Sequence, residues 1–380
     1  MSRQWRVAII GTGVVGTMHL RAMGQLPNCQ IVAICDVDAA KGRQALDRTK
    51  ISVPLYTDLN EMLRKEKLDS AHVCTPSGDH QTPAITAMQR GLNVLVEKPM
   101  EILPDRVDEM IAAAKKFGVR LAGIFQNRWD DANAVLHEAV KQGRFGKIAW
   151  AGSITPWYRT DQYYEDGGWR GTWKLDGGGA VMNQGVHQVD LIQWIVGPVK
   201  TVSAFASSRI HPKIEVEDTL TCALQFENGA YGTFVSTTAT WPGGQVRLEI
   251  GGEFGSALSE NGLKRFEFKN PLPTDQQLLE RYGPNRDKTS GGGKAATDIA
   301  LDLHCKNIRG VYQAWDRGQD PETSGPEARN QFPSKASAGP SARSRSVHLH
   351  DLHRAARPDG DANLVRAIAG ARRAGWICLR

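Results

Sequence analysis

Residues 5–16 are WRVAIIGTGVVG, an apolar run followed at once by a turn with three glycines. The run from Trp5 to Ile10 predicts a buried strand, and the glycine turn stands where a helix would begin. Gly11 suits a tight turn, Gly13 leaves the backbone open to a pyrophosphate, and Gly16 permits close packing of the helix on the strand. The stretch therefore predicts a strand–turn–helix unit that holds a dinucleotide at the helix N-terminus.

Asp36 follows the second apolar run, CQIVAIC, about twenty residues beyond the glycine turn, which is the usual place of the acidic residue in this fingerprint. A carboxylate there can accept hydrogen bonds from both hydroxyls of the adenosine ribose, and it repels a 2′-phosphate. Asp36 therefore favours NAD over NADP as the cofactor. The predicted cofactor contacts of this region are Gly11, Thr12, Gly13, Val14, Val15, Gly16 and Asp36.

Apolar runs alternate with amphipathic segments over the first third of the chain. This alternation predicts a parallel sheet covered by helices on both faces, so residues 1–125 are predicted to form an α/β Rossmann domain. From Lys147 onward apolar residues recur in period two, and a helix is predicted over residues 179–196. Residues 126–329 are therefore predicted to form an α+β domain with a mostly antiparallel open sheet, one face of which is available for a subunit interface.

Residues 330–380 are rich in Ser, Ala, Arg, Gly and Pro and have little apolar periodicity, which predicts a disordered basic tail. The tail holds nine basic and three acidic residues, so 38 basic and 38 acidic residues remain in the first 329. The predicted folded part has no surplus of positive charge, and we expect no nucleic-acid partner. We interpret His348, His350 and His353 as solvated coil and predict no metal site.

The six cysteines are scattered and form no Cys-x-x-Cys pair, which favours reduced thiols in a reducing compartment. The first residues contain no apolar signal-peptide core, and no apolar run approaches the roughly 18 residues that a membrane span needs. We therefore expect a soluble, cytoplasmic protein without a membrane partner.

The segment VCTPSGDH, residues 73–80, ends a later predicted strand of the same sheet. Ligands of open α/β sheets lie beyond the carboxyl ends of the strands. Thr75, Pro76 and His80 are therefore predicted to line the cofactor cleft. For His80 a surface position at a helix start is an equal alternative.

The segment LNVLVEKPM, residues 92–100, ends the next predicted strand with a charged pair, Glu97 and Lys98. An ammonium group that is partly removed from water loses its proton more readily, which suits it to donate and recover a proton near neutral pH. We predict that Glu97 and Lys98 both contact the cofactor, that Lys98 is also a catalytic group, and that Glu97 pairs with Lys98 or orients it. A plain strand-end ion pair is the alternative.

Asn183 and His187 lie four residues apart in DGGGAVMNQGVHQVD, residues 176–190, so they share one face of the predicted helix. Three glycines before the helix permit a close approach to its N-terminus. We predict that both side chains act at the reacting group, with a buried structural role as the alternative for His187.

Together, GTGVVG, CDVD, EKP and DGGGAVMNQGVHQVD make residues 5–329 resemble the Gfo/Idh/MocA family, the relatives of glucose-fructose oxidoreductase and inositol dehydrogenase. The resemblance implies oxidation of a secondary hydroxyl of a sugar, sugar derivative or cyclitol with a nicotinamide cofactor, and a homodimer or homotetramer formed through the open sheet. By position, Lys98 matches the lysine of EKP, and Asn183 and His187 match the helix pair that contacts the reacting carbinol. Segments that commonly line the sugar pocket hold Arg128, Trp157, Tyr158, Arg159 and Arg170.

Several alternatives remain open beside an NAD-dependent sugar dehydrogenase. A non-catalytic protein that senses the dinucleotide has no need of both Lys98 and His187. An enzyme with tightly held NADP that interconverts two sugars should carry a basic residue where Asp36 stands. The segment WRGTWKLDGGG also resembles UDP-N-acetylglucosaminuronate 3-dehydrogenases. The residues do not decide which sugar is oxidised, or whether His187 or Lys98 is the base.

The stretch after Arg329 departs from this resemblance. Relatives normally add one more amphipathic helix there, whereas this chain carries a run of Arg, Ser, Ala and Pro. The change suits a shifted reading frame, and resequencing of the native transcript would test that hypothesis.

Overall fold

The computed structural model describes residues 3–284 and 301–329, which fold into two compact units. The first unit contains the chain up to Asp130, the segment Lys174–Asp176 and residues 301–329, and the second contains the rest of the described chain. The predicted second domain included residues 301–329. In the two compact units these residues belong with the first unit instead, and the predicted domain boundaries otherwise stay predictions. The predicted tail and its three histidines lie outside the described residues.

The first unit is built on a six-stranded parallel sheet with the strand order β3-β2-β1-β4-β5-β6. Its strands are β1 (Trp5–Ile10), β2 (Cys29–Cys35), β3 (Leu55–Tyr56), β4 (Ser70–Val73), β5 (Asn93–Val96) and β6 (Leu121–Gly123). Its first helices are α1 (Val14–Met23), α2 (Ala39–Thr49), α3 (Leu59–Lys65), α4 (Gln81–Met88) and α5 (Pro104–Phe117). This order confirms the predicted Rossmann class. The order of strands along the sheet reverses between β1 and β4, and sheets of this class bind ligands beyond the carboxyl ends of the strands at that point.

The second unit is built on a seven-stranded sheet with the order β13-β12-β11-β7-β10-β9-β8. Its strands are β7 (Ile148–Pro156), β8 (Val199–Ser207), β9 (Thr219–Phe226), β10 (Tyr231–Thr237), β11 (Arg247–Gly252), β12 (Gly255–Glu260) and β13 (Leu263–Phe268). Its helices are α6 (Asp131–Lys141), α7 (Asp161–Glu165), α8 (Val186–Val196) and α9 (Pro273–Tyr282). Among these strands, only β7 and β10 pair in parallel, so the prediction of a mostly antiparallel sheet is confirmed.

The period-two pattern of the second sheet separates its two faces. Along β10 the side chains of Tyr231 and Thr233 are exposed, whereas Gly232 and Phe234 are buried. Phe234 belongs to a core cluster that also includes Leu136 of α6 and several residues of α8. One face of the sheet therefore carries the core of the second unit, and the other face is open.

The last two helices, α10 (Leu301–Asp316) and α11 (Gly325–Ala328), belong to the first unit. Ile308, Val311 and Tyr312 of α10 join Trp5 in the core of that unit. The indole N–H of Trp5 donates to Oδ1 of Asp316 at 2.8 Å. A helix that is distant in sequence therefore completes the core under the Rossmann sheet.

Within residues 3–284 and 301–329, no helix combines the length and the apolar composition that a membrane crossing requires. The same residues contain no group of three His, Cys, Asp or Glu side chains placed to hold a metal ion.

Candidate active site

The glycine turn lies at the switch point of the first sheet, between β1 and α1. Gly11 has a φ of +85°, and a Cβ on it would lie 2.7 Å from the backbone of Cys74 at the end of β4. A Cβ on Gly16 would lie 2.0 Å from the carbonyl oxygen of Gly11. Both positions therefore require glycine, because a side chain would collide with backbone.

The same turn leaves room for a ligand at the start of α1. A Cβ on Gly13 would meet no described atom within 4 Å, and no described side chain caps the helix N-terminus. The first backbone N–H groups of a helix lack partners within the helix and attract anions. The turn therefore fits the pyrophosphate of a dinucleotide.

The carboxylate of Asp36 lies against the glycine turn. Its Oδ2 accepts hydrogen bonds from the backbone N–H and the hydroxyl of Thr12, both at 2.7 Å, and its Oδ1 accepts from the N–H of Asp38 at 2.9 Å. Both lone pairs of Oδ2 are thus used, whereas Oδ1 keeps one that can accept a hydrogen bond from a ribose hydroxyl. The side chain is half-buried, as an acceptor at the rim of a binding site should be.

Thr75 and Pro76 follow β4 directly and are half-buried at the carboxyl edge of the sheet. His80 is only 1% exposed, and its two ring nitrogens each lie 2.9 Å from a backbone carbonyl oxygen, Nε2 from Thr75 and Nδ1 from Pro99. Its ring therefore bridges the segments that follow β4 and β5. Contact of His80 with the cofactor stays a prediction.

Glu97 is buried behind the segment that carries Lys98. Its Oε2 accepts the backbone N–H of Lys98 at 3.0 Å, and its Oε1 accepts from Nε2 of His19 at 2.8 Å and lies 3.5 Å from Nε2 of His304. Burial by itself raises the pKa of Glu97, but the two histidines outweigh it and hold that pKa well below its usual range. Glu97 is therefore an ionised carboxylate that fixes the main chain at Lys98, whose side chain is half-buried.

In the second unit, Asn183 lies in a π-helical turn, Ala180–Gly185, that leads into α8. The sequence predicted one regular helix here. The carboxylate of Glu217 accepts hydrogen bonds from the backbone N–H groups of Gly179 at 3.0 Å and Val181 at 3.1 Å, and so caps the turn. A Cβ on Gly179 would lie 1.7 Å from the Glu217 carbonyl oxygen, so this glycine permits the approach. The glycines predicted a close approach to the start of this helix. In the structure the backbone of Glu217 makes that approach.

Asn183 and His187 are half-buried, whereas the three residues between them and the following Gln188 are buried. The Gln188 side chain accepts a hydrogen bond from the hydroxyl of Ser153 on β7 at 2.9 Å. The buried face of the helix is therefore fixed to the sheet, and Asn183 and His187 share the accessible face. Their catalytic roles stay predictions.

The predicted sugar-pocket segment after β7 is held by the last residue of β10 and the residues that follow it. The N–H of Trp157 donates to the carbonyl of Thr237 at 2.9 Å, and that of Arg159 donates to the carbonyl of Thr238 at 2.8 Å. Tyr158, between them, pairs with Ala239 in an isolated bridge. This pairing gives residues 157–159 a fixed extended backbone.

Two guanidinium groups of the second unit face one tyrosine ring. Arg170 lies 4.3 Å and Arg159 5.2 Å from the centre of the Tyr163 ring, and Arg159 also lies 5.0 Å from the Trp157 ring. We call these four residues the arginine–aromatic cluster. Nε2 of Gln184, the neighbour of Asn183, donates to the Tyr163 hydroxyl at 3.0 Å. The cluster is therefore joined to the π-helical turn.

Arg128 lies in the first unit and is 4% exposed. Its Nη1 donates to the carbonyl of Glu322 at 3.1 Å, and its guanidinium lies 5.8 Å from the Phe125 ring. These contacts tie it to its own unit, and its contact with substrate stays a prediction.

The sequence reasoning missed four buried polar residues behind Glu97: His19, His72, His304 and Tyr312. A polar residue inside the apolar strand SAHV was a usable signal for His72. No local pattern could have placed α10, and hence His304 and Tyr312, beside β4 and β5, because that contact joins positions more than two hundred residues apart.

Comparisons with known proteins agree with this fold. Residues 5–125 match the model of the oxidoreductase family with an NAD-binding Rossmann fold, and residues 134–258 match that of the GFO/IDH/MocA C-terminal domain. The chain is similar to the WlbA dehydrogenase from Bordetella pertussis, solved in complex with NADH and UDP-GlcNAcA, with 31% identity, a TM-score of 0.76 and coverage of 87% of this chain and 93% of that one.

Two curated relatives are more distant. D-glucoside 3-dehydrogenase of Escherichia coli (strain K12) is 29% identical over 243 residues, which are 59% of this chain and 67% of that protein. Myo-inositol 2-dehydrogenase of Thermotoga maritima is 26% identical over 262 residues, which are 67% of this chain and 75% of that protein.

The fold, the glycine turn and these matches define an NAD-binding oxidoreductase. The chain belongs to the Gfo/Idh/MocA family. The predicted family, dehydrogenase class and NAD cofactor are therefore confirmed.

Proposed function

We propose that this protein is an NAD-dependent dehydrogenase that oxidises a secondary hydroxyl of a sugar or cyclitol. The observation that carries the proposal is the combination of the glycine turn and Asp36 with Lys98, Asn183 and His187, in a chain similar to a glucoside 3-dehydrogenase and an inositol 2-dehydrogenase. The nicotinamide of bound NAD supplies the hydride acceptor. The residues of the chain hold the substrate and move the hydroxyl proton.

Lys98 and His187 divide the acid–base work in this proposal. One takes the proton of the reacting hydroxyl, and the other stabilises the negative charge that develops on the oxygen. Asn183 orients the same oxygen. Glu97 supports Lys98 through the main chain, and Glu217 supports Asn183 by capping its π-helical turn.

A substrate panel tests this proposal. The purified protein would be incubated with NAD and with aldoses, inositols, anhydrosugars and nucleotide-linked uronates in turn, and NADH formation followed by absorbance. We expect turnover of at least one neutral polyol and its loss in Lys98→Ala. Absence of NADH with every member, including nucleotide-linked sugars, would contradict a dehydrogenase function.

A second candidate substrate is a nucleotide-linked uronate such as the UDP-GlcNAcA bound to the similar WlbA dehydrogenase. The arginine–aromatic cluster favours it, because two cations beside the π-helical turn suit a carboxylate or a phosphate. We expect Arg170→Gln to raise KM for an anionic sugar roughly tenfold or more, with less change for a neutral one. Equal effects on both substrates would count against an anionic substrate.

We also propose a cytoplasmic homodimer or homotetramer formed through the open face of the second sheet. Tyr231 and Trp150 are directly paired on that face, and they are 64% and 37% exposed. Phe205, 75% exposed, lies on the same face. Exposed aromatic side chains that share one face mark interaction surfaces.

Sedimentation analysis of the wild type and of Tyr231→Glu tests the interface. A charge at the centre of an apolar contact should shift the protein to monomer, while Lys213→Glu, outside the sheet, should leave the assembly unchanged. A wild type that is monomeric at micromolar concentration would rule the interface out.

A further inference from the structure

A chain of hydrogen-bonding side chains runs through the first unit from Glu97. Nδ1 of His19 lies 2.8 Å from Nδ1 of His72, Nε2 of His72 lies 2.9 Å from the Tyr312 hydroxyl, and that hydroxyl lies 2.7 Å from Oγ of Ser70. We call these five residues the Glu97 chain. None of them is more than 4% exposed.

The members of the Glu97 chain come from α1, β4, α10 and the residue that follows β5, so they meet only in the folded protein. The reaction proposed above uses none of their side chains directly. The titratable and charged groups that face Glu97 are His19 on α1, His304 on α10, His72 and Cys74 at β4, His80 beyond it, and the adjoining Lys98.

The protons of the chain can be counted from its geometry. An ionised Glu97 only accepts, so Nε2 of His19 must donate to it. Exactly one hydrogen lies between the two facing Nδ1 atoms, because two hydrogens would clash and none would leave two lone pairs in contact. Burial lowers the pKa of His72 well below its usual range, so His72 is neutral and carries one ring proton.

Two arrangements satisfy every link. In the proton-poor arrangement His72 donates from Nδ1 to a neutral His19, and the Tyr312 hydroxyl donates to Nε2 of His72. In the proton-rich arrangement His19 carries both ring protons, and His72 donates from Nε2 to Tyr312, which in turn donates to Ser70. The two differ by one proton, and neither leaves a buried polar atom of the chain unpaired.

We propose that His19 and His72 share one exchangeable proton that, through Glu97, sets the protonation state of Lys98. This inference rests on the proposed function, with Lys98 as the group of the pair that takes the proton. In the proton-poor arrangement the chain carries the full negative charge of Glu97 and stabilises the Lys98 ammonium. In the proton-rich arrangement the positive His19 offsets that charge, so Lys98 releases its proton at lower pH. His19 and His72 are thus positioning residues for the proton transfer.

Substitutions on the two sides of the His19–His72 pair should have effects of opposite sign. Glu97→Gln removes the negative charge, so the rising limb of the profile of kcat/KM against pH should move to lower pH. Tyr312→Phe removes only a hydroxyl, and it penalises the proton-rich arrangement, in which His72 would be left with a buried, unpaired N–H. The rising limb should then move to higher pH. We expect each displacement to be about half a pH unit or more.

Controls separate this effect from loss of packing. Ser70→Ala should move the limb in the same direction as Tyr312→Phe, and it serves if that variant folds poorly. Tyr56→Phe is the matched control, since it removes another hydroxyl of the first unit, one that donates to Glu66 at 2.7 Å outside the chain. The control should leave the limb in place. Displacements of the same sign for Glu97→Gln and Tyr312→Phe, or none, would overturn the proposal.

A second measurement does not depend on activity. In protein labelled with ¹⁵N-histidine, long-range ¹H–¹⁵N spectra report which ring nitrogen of each histidine is protonated. We expect His72 to change from the Nδ1–H to the Nε2–H form as the pH falls. One unchanged tautomer of His72 from pH 5 to 9 would overturn the shared proton. Retained turnover in Lys98→Ala would instead overturn the role of Lys98 while leaving the spectra as expected.

Discussion

At the scale of single residues, Asp36 shows how one side chain serves both the fold and the predicted specificity. Its Oδ2 accepts two hydrogen bonds from Thr12 and so fixes the glycine turn, and one lone pair of Oδ1 remains at the rim of the site. The same negative charge would repel a 2′-phosphate. Fold stability and cofactor preference therefore depend on one carboxylate.

Replacing Asp36 tests this double role. We expect the wild type to bind NAD at least tenfold more tightly than NADP, which corresponds to about 1.4 kcal/mol. Asp36→Ala should narrow that difference, because the repulsion of the 2′-phosphate is lost, and it should also lower thermal stability, because Thr12 loses its acceptor. Titration of both cofactors against both proteins measures the difference. Equal wild-type affinities would contradict the carboxylate argument.

Lys98 and His187 are expected to be interdependent. Each change to Ala should lower kcat by roughly 10²-fold or more while NAD affinity changes much less, since the turn and Asp36 hold the dinucleotide. The double variant should lose much less than the product of the two single losses, because groups that serve one proton transfer are not additive. Near-normal turnover in Lys98→Ala would contradict a catalytic role for Lys98 and favour the alternative, a structural residue at the end of a strand.

At the scale of elements, the π-helical turn Ala180–Gly185 is set by contacts outside itself. Glu217 caps its N-terminus, and the hydroxyl of Ser236 donates to the carbonyl of Ala180 at 2.8 Å. Asn183 lies within this turn, and His187 lies in the regular helix α8 that follows it directly. The geometry of the candidate catalytic pair therefore depends on how this turn packs against β9 and β10.

Gly179→Ala tests that dependence. The new Cβ would lie 1.7 Å from the Glu217 carbonyl oxygen, so the turn must shift. We expect a loss of about 1–3 kcal/mol in the free energy of unfolding and a reduced kcat. Gly24→Ala is the control, because its Cβ would lie 3.4 Å from the nearest described atom. Equal stability of the two variants would show that the approach of Glu217 is not tight.

At the scale of the whole molecule, α10 closes the core of the first unit from a position late in the sequence, and Arg329 follows shortly after it. The Nε of Arg329 donates to Asp108 on α5 at 2.7 Å, and Ala328 is fully buried. The chain must therefore extend at least to this point for the Rossmann unit to be complete.

Truncation on either side of α10 tests this requirement. A chain that ends after Arg329 should keep its kcat, NAD affinity and thermal stability, because no predicted site residue follows. A chain that ends before α10 should be insoluble or much less stable, because Trp5 loses its packing partners. Loss of turnover in the first truncated protein, with its fold retained, would assign a function to residues 330–380.

The sequence alone determined the features that depend on neighbours along the chain. The glycine turn, the position of Asp36 after β2 and the alternation of strands and helices are local, so the Rossmann class and the cofactor could be predicted from them. The four-residue spacing of Asn183 and His187 also predicted a shared face, and both side chains are half-buried beside buried neighbours.

Only the tertiary structure decided which groups surround those positions. Glu97 was expected to pair with or orient Lys98, and its carboxylate also binds His19, while Tyr312 of α10 contributes to the hydrogen-bonded chain behind it. A π-helical turn replaced a regular one because Glu217, far along the chain, caps it. Long-range contacts of this kind leave no periodic signal in the sequence, because burial and hydrogen bonding among distant segments are fixed only when the chain packs.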